Sequence, residues 1–250
     1  MPDQHGAFLF VNDWAFNSDS LGVAEEFRPS AGLDVLLVGD SVVYGGNKFR
    51  QHEKLAPLVA SRTGWKVWPA SAGSWGLQNE LTFLRHKPYL VRDVDVVVFI
   101  VNSGDFKKPS EWRSIYSHPR KYPSLYLPYL FRRYVTGEDA APPSPFPVPK
   151  RNLVQDWTDF VRNTNKPVLV VSYSTQAQTG LGCNWTPESL RAVGQWSCYD
   201  GMKVAGPSGF GDAIHPSQSG NQKLAEHIIA MVEQSSAALS ANKRRQRPAI

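Results

Sequence analysis

Cysteine is scarce in this chain, with Cys183 and Cys198 the only two among 250 residues. No Cys-x-x-Cys or His-x-x-x-His spacing occurs and the six histidines are scattered, so no metal centre is expected. Both cysteines lie in one polar, Gly-rich segment, where a loop-closing disulfide in an oxidising compartment and a pair of free thiols are equally consistent. Long apolar runs are missing too. The longest, Val94 to Val101 and Val168 to Val171, are far too short to cross a bilayer, so no membrane span is expected. The opening MPDQHGAFLFVNDW lacks the basic start and continuous apolar stretch of a secretory signal, although a removed segment would leave no trace. A periplasmic or extracellular location is expected over a cytoplasmic one. Lys and Arg outnumber Asp and Glu 27 to 22, but part of that surplus sits in short runs such as Arg132-Arg133 and Lys243-Arg244-Arg245. Without a basic stripe interleaved with aromatics, nucleic acid is not an expected partner.

What is present is an alternation of strand and helix. Asp34 to Val38 is an apolar run ending in Gly39-Asp40-Ser41, and His52 to Arg62 repeats apolar residues at helical spacing. Trp65 to Trp68 is a second strand candidate, followed by the turn Ser71 to Gly76 and a helical pattern through Leu77, Leu81, Leu84 and Leu90. Asp93 to Val101 and Pro167 to Ser172 are apolar without alternation, as strands covered on both faces are. A helix is expected over Asn152 to Arg162, and another after Pro216 and Ser217 with Leu224, Ile228, Ile229 and Val232 on its apolar face. Such a pattern implies a parallel sheet with right-handed crossovers and ligand sites at the carboxyl ends of its strands. The length fits a single domain over residues 1–235. Lys107 to Lys150, with its AAPPSPFPVP stretch, is too long for a connection and reads as an insertion that packs over the site or binds a partner. Residues 236–250 read as a flexible tail.

Three residues could carry nucleophilic chemistry. Ser41 follows a buried strand in a tight, Gly-flanked turn, while Asp212 and His215 stand three apart in Gly-Asp-Ala-Ile-His-Pro just before the last helix. A serine hydroxyl needs an imidazole to accept its proton, and the imidazole works best when a carboxylate fixes its tautomer. Each piece alone is more often a turn or a cap; together they supply all three parts.

GDSVVYGG near the start and DAIHPS near the end resemble the first and last motifs of the SGNH, or GDSL, hydrolase superfamily. The resemblance implies a three-layer α/β/α, flavodoxin-like fold with a central parallel sheet, with Ser41 as nucleophile and Asp212 orienting His215. It also implies an oxyanion hole from the Ser41 N–H, a glycine N–H after the second strand and an Asn side chain after the third. Ser71-Ala-Gly-Ser-Trp-Gly76 resembles the family's Asn-x-Gly-x-x-Gly turn and makes Gly76 the expected donor. The third motif departs from Gly-x-Asn-Asp, for Asn102-Ser-Gly-Asp105 puts Gly104 in the Asn position, and Asn102 is the substitute expected there. No cofactor is implied.

Trp75, Trp112, Trp185 and Trp196 are read in loops where an indole could stack on substrate, with Trp75 and Trp112 the first candidates. The expected reaction is hydrolysis of a carboxylic ester, an acetyl ester foremost, of a small molecule or polysaccharide through an acyl-enzyme on Ser41. Two alternatives stand beside it. The same triad could pass the acyl group to a sugar hydroxyl, and Phe16 to Gly22 resembles lead-in segments of exopolysaccharide acetyltransferases in the superfamily. The fold could also serve as a non-catalytic carbohydrate-binding protein.

Overall fold

A computed structural model describes residues 17–18, 24–25, 27–45, 49–110, 125–131, 134–135, 151–178 and 180–245. In chain order the elements are β1 (Asn17–Ser18), β2 (Ala24–Glu25), β3 (Asp34–Gly39), α1 (Ser41–Tyr44), α2 (Leu55–Thr63), β4 (Lys66–Ser71), α3 (Leu77–His86) and α4 (Pro88–Asp93). There follow β5 (Val96–Val101), α5 (Tyr126–Phe131), α6 (Leu153–Asn163), β6 (Val168–Ser174), α7 (Glu188–Arg191), β7 (Gln195–Asp200), α8 (Gly201–Ala205) and α9 (Gln218–Arg245). β1 and β2 form a small antiparallel pair. β3 to β7 form one sheet of order β4-β3-β5-β6-β7, parallel throughout.

Side chains alternate across this sheet, and both sets are buried. Val35 and Leu37 of β3, with Val96, Val98 and Ile100 of β5, pack against Leu55 and Val59 of α2 and Leu224, Ile228 and Val232 of α9. Leu36 and Val38, with Val97, Phe99 and Val101, face the other way onto Leu77, Leu81 and Leu84 of α3, Leu90 of α4 and Trp157 of α6. This is the expected three-layer fold, and it explains why the strands read as unbroken apolar runs. Each fully buried Val, Leu or Phe contributes about 1.5–3 kcal/mol. The chain leaves β3 for β4 on one side and returns to pair β5 on the other. The crevice at the carboxyl ends of β3 and β5 is therefore the switch point at which α/β sheets bind ligands.

Four boundaries differ from the sequence reading, each for a local reason. β4 runs on through Pro69 to Ser71; it is an edge strand, where a residue without an N–H is tolerated. The single helical pattern expected from Leu77 to Leu90 is split, because Pro88 cannot continue α3 and instead occupies the first turn of α4. β7 has only Tyr199 buried, so no apolar pattern marked it. α9 continues to Arg245, past Ser235, where composition places the start of a tail.

Cys183 and Cys198 are joined by a disulfide across 15 positions, with Cα atoms 5.7 Å apart, and it ties β7 to the loop after β6. Of the insertion, Lys107 to Ser110 and residues 125–131 and 134–135 are described; Trp112 and the Pro-rich stretch lie outside the described residues. Among the described residues no helix is long and apolar enough to cross a membrane, and no group of three or more His, Cys, Asp or Glu could hold a metal ion.

Candidate active site

The turn from β3 into α1 is built by backbone proximity. A Cβ on Gly39 would lie 2.6 Å from Val43 Cγ2 and 3.0 Å from the Ile100 carbonyl, so only glycine lets α1 fold back this closely. Asp40 caps α1, its Oδ1 accepting from the Val42 N–H at 2.8 Å. Ser41 is thus the first helical residue, and its N–H is one of the first-turn donors with no acceptor inside the helix.

The loop before α9 brings the other two groups. It is pinned by Gly211 N–H to His215 O (2.9 Å), Gln176 N–H to Ala213 O (3.1 Å) and Ser217 N–H to Gly209 O (2.8 Å). The Tyr173 hydroxyl donates to the Ile214 carbonyl at 2.9 Å, and burial raises its pKa, so it remains a donor. Asp212 Oδ1 accepts from the backbone N–H groups of Ile214 (3.0 Å) and His215 (2.8 Å). These bonds fold Asp212 back on the His215 ring, where Nδ1 lies 2.9 Å from Oδ1 and 3.0 Å from Oδ2. With the proton on Nδ1 shared with Asp212, Nε2 is left as acceptor for the Ser41 hydroxyl, 2.9 Å away. Residues 174 positions apart thereby form one chain of hydrogen bonds from carboxylate to imidazole to serine. A second Ser–His contact joins Ser197 Oγ to His227 Nε2 at 2.8 Å, and burial lowers the pKa of His227.

The remaining expected site residues fare differently. The Gly76 N–H, expected to face a reacting carbonyl, donates instead to Asn79 Oδ1 at 3.1 Å and closes the start of α3. Its lack of a Cβ serves packing, since that atom would meet the Asp105 carbonyl at 2.9 Å. Ser74, in the same turn, has φ 63°, a conformation seldom taken by non-glycine residues. Asn102 does reach the Ser41 loop: one Nδ2 hydrogen goes to Asp40 Oδ2 at 2.9 Å, and Oδ1 accepts from the Gly104 N–H at 2.8 Å. Its second Nδ2 hydrogen has no partner among the described residues.

Trp75 is no substrate platform, being 3% exposed with its ring 5.3 Å from Phe83. The Gly-rich turn that suggested a loop position carries it into the core. Trp196 lies on β7 against Trp157, not in a loop. Trp185 is half-buried in the loop after β6, with its ring 5.9 Å from Phe106 of the loop after β5.

Near Ser41 lie three buried acids, Asp40 and Asp105 from within the motifs and Glu80 from outside them. Burial raises the pKa of Asp40, against the opposing bonds from Val42 and Asn102 and the charge of His215. In the sequence, Glu80 resembles any solvent-facing acid in a first helical turn; only the burial of α3 from Leu77 to Leu84 reveals it.

The fold as a whole is matched in solved structures. The crystal structure of the psychrotrophic esterase EstA from Pseudoalteromonas sp. is similar at a TM-score of 0.50 and 12% identity, over 82% of this chain and 100% of that one. The chain shares the fold of that esterase. Two more distant structures accompany it. LAE5, an alpha/beta hydrolase enzyme from the metagenome of Lake Arreo, Spain, has a TM-score of 0.49 and 15% identity over 80% of this chain and 95% of that one. A member of the lipolytic protein G-D-S-L family from Veillonella parvula has a TM-score of 0.42 and 10% identity over 78% and 95%. No family model matches the chain, and no curated protein matches it in sequence. In this fold Ser41 opens the helix after β3, Gly76 and Asn102 stand on the loops after β4 and β5, and His215 reaches Ser41 from the loop before α9.

Proposed function

We propose that the protein is a serine esterase that removes an acyl group, preferentially acetyl, from a carbohydrate hydroxyl. The observation that carries this reading is the hydrogen-bonded chain Asp212–His215–Ser41, with both links at 2.9 Å. Ser41 Oγ attacks the ester carbonyl while His215 Nε2 takes its proton. The imidazolium formed is stabilised by Asp212 and returns the proton to the leaving alcohol oxygen. Water then attacks the acyl-enzyme by the same route. The Ser41 N–H and the second Nδ2 hydrogen of Asn102 are the donors for the oxyanion, each contributing about 3 kcal/mol to barrier reduction. No step requires a metal or cofactor. The carbohydrate assignment draws on the Phe106–Trp185 pair, partly exposed on loops at the ends of β5 and β6, where aromatic faces suit a sugar ring. The Cys183–Cys198 disulfide fits an oxidising compartment, periplasmic or extracellular.

A series of p-nitrophenyl esters of increasing acyl length, assayed with and without sugar acceptors, tests the reading. The expected outcome is fastest release from the acetate, with free acetate as product. Acetylated sugar as the main product would make the protein an acetyltransferase working through the same acyl-enzyme. No release from any ester would leave only a carbohydrate-binding role for the fold.

A further inference from the structure

The loops that carry the site are joined beneath it by acids rather than by apolar packing. Asp40 holds the Val42 N–H with one oxygen and Asn102 Nδ2 with the other, at 2.8 and 2.9 Å. The Asn102 N–H donates to Asp105 Oδ2 at 2.6 Å, and the Asp105 carbonyl accepts from the Leu77 N–H at 3.0 Å. The backbone of Glu80 closes the same corner, its N–H donating to the Gly76 carbonyl at 3.2 Å. Its side chain is 0% exposed, and neither carboxylate oxygen has a hydrogen-bond partner among the described residues.

An ionised carboxylate in that position would be buried without a donor, which costs several kcal/mol. The charges that act on it are of its own sign. Burial foremost, then Asp105 and Asp40, push the Glu80 carboxyl well above the usual range, and burial with Asp40 does the same to Asp105. His215 faces Asp40. Arg85 of α3, the cation nearest in sequence, is engaged elsewhere, pairing with Asp156 at 3.0 Å.

We propose that Glu80 is a positioning residue that, as a neutral acid, fills the space beneath Ser41, Gly76 and Asn102 and keeps their loops in register. Its proton lets three acids pack behind one nucleophile. Loss of that proton sets a further negative charge against Asp105 and Asp40 and drives the Asn102 loop from the Ser41 loop. The activity consequence rests on Ser41 being the nucleophile; the stability consequence does not.

The sign of the effect follows from linkage. A glutamate whose folded pKa is raised loses stability for the fold across the range where the unfolded chain has given up its proton and the folded chain keeps it. Stability therefore falls as pH rises from the ordinary glutamate range through the folded value. The experiment compares wild type with Glu80→Gln, a neutral side chain of the same shape, and with Glu80→Met. Thermal unfolding midpoints from about pH 5 to about pH 9 should diverge, with both variants gaining on wild type as pH rises. With acetate ester as substrate, Glu80→Gln should keep kcat within about threefold near neutrality and an unmoved acid limb. The alkaline fall of kcat in wild type should disappear in it. Parallel unfolding curves across the pH range would overturn the proposal, as would failure of both variants to fold or an alkaline limb unchanged in Glu80→Gln. If wild type cleaves no ester, the unfolding midpoints still decide the role of Glu80, and the esterase reading fails separately.

Discussion

His215 serves two partners with one ring, and its two nitrogens make unequal demands. Nε2 must take and return a proton in each half-reaction, whereas Asp212 at Nδ1 only fixes the tautomer and stabilises the positive charge. His215→Ala is therefore expected to remove nearly all turnover. Asp212→Asn should fall by roughly four orders of magnitude yet stay measurably above it. Steady-state rates on an acetate ester check the order, and equal residual rates in the two variants would contradict it.

At the scale of elements, the β3–α1 junction sets where the Ser41 hydroxyl stands. Gly39→Ala places a methyl 2.6 Å from Val43 and 3.0 Å from the Ile100 carbonyl, so α1 must shift away from the sheet. Overpacking of this kind costs about 1–3 kcal/mol, and the displaced serine should lose at least about tenfold in kcat. A denaturation midpoint and a rate for the one variant test both effects, and an unchanged kcat would show that the junction is not critical. Elements of this kind were legible wherever burial is two-sided. β3, β5 and β6 read as unbroken apolar runs because helices cover both faces, and Asn152 and Ser217 mark the helix starts that follow them. Edge strands were not legible in the same way. β7 leaves most of its residues partly or fully exposed, and β4 hides half its length behind Pro69.

Across the whole molecule, two motifs at opposite ends of the chain indicated the fold and Ser41, Asp212 and His215. The groups around them were not indicated, because their roles depend on contacts between distant segments. Gly76 shows this, its amide taken by Asn79, as do Trp75, drawn into the core by Phe83, and Glu80, buried under Asp105. The cysteine pair is a further case, since spacing left thiols and disulfide open while folding joins them across β7. Closing a loop of 15 positions stabilises by about 3 kcal/mol, so Cys183→Ser with Cys198→Ser should lower the unfolding midpoint clearly. A midpoint unmoved by those substitutions and by reductant would mean that the bond contributes nothing to stability. The central claim is that Ser41 is a nucleophile activated by His215, and the most direct measurement is covalent labelling with a serine-reactive phosphonate, read by intact mass and peptide mapping. One adduct on Ser41 is expected in wild type, none in Ser41→Ala with its unfolding midpoint unchanged, and strongly slowed labelling in His215→Ala. No adduct in wild type, or an adduct on another serine such as Ser197, would contradict it.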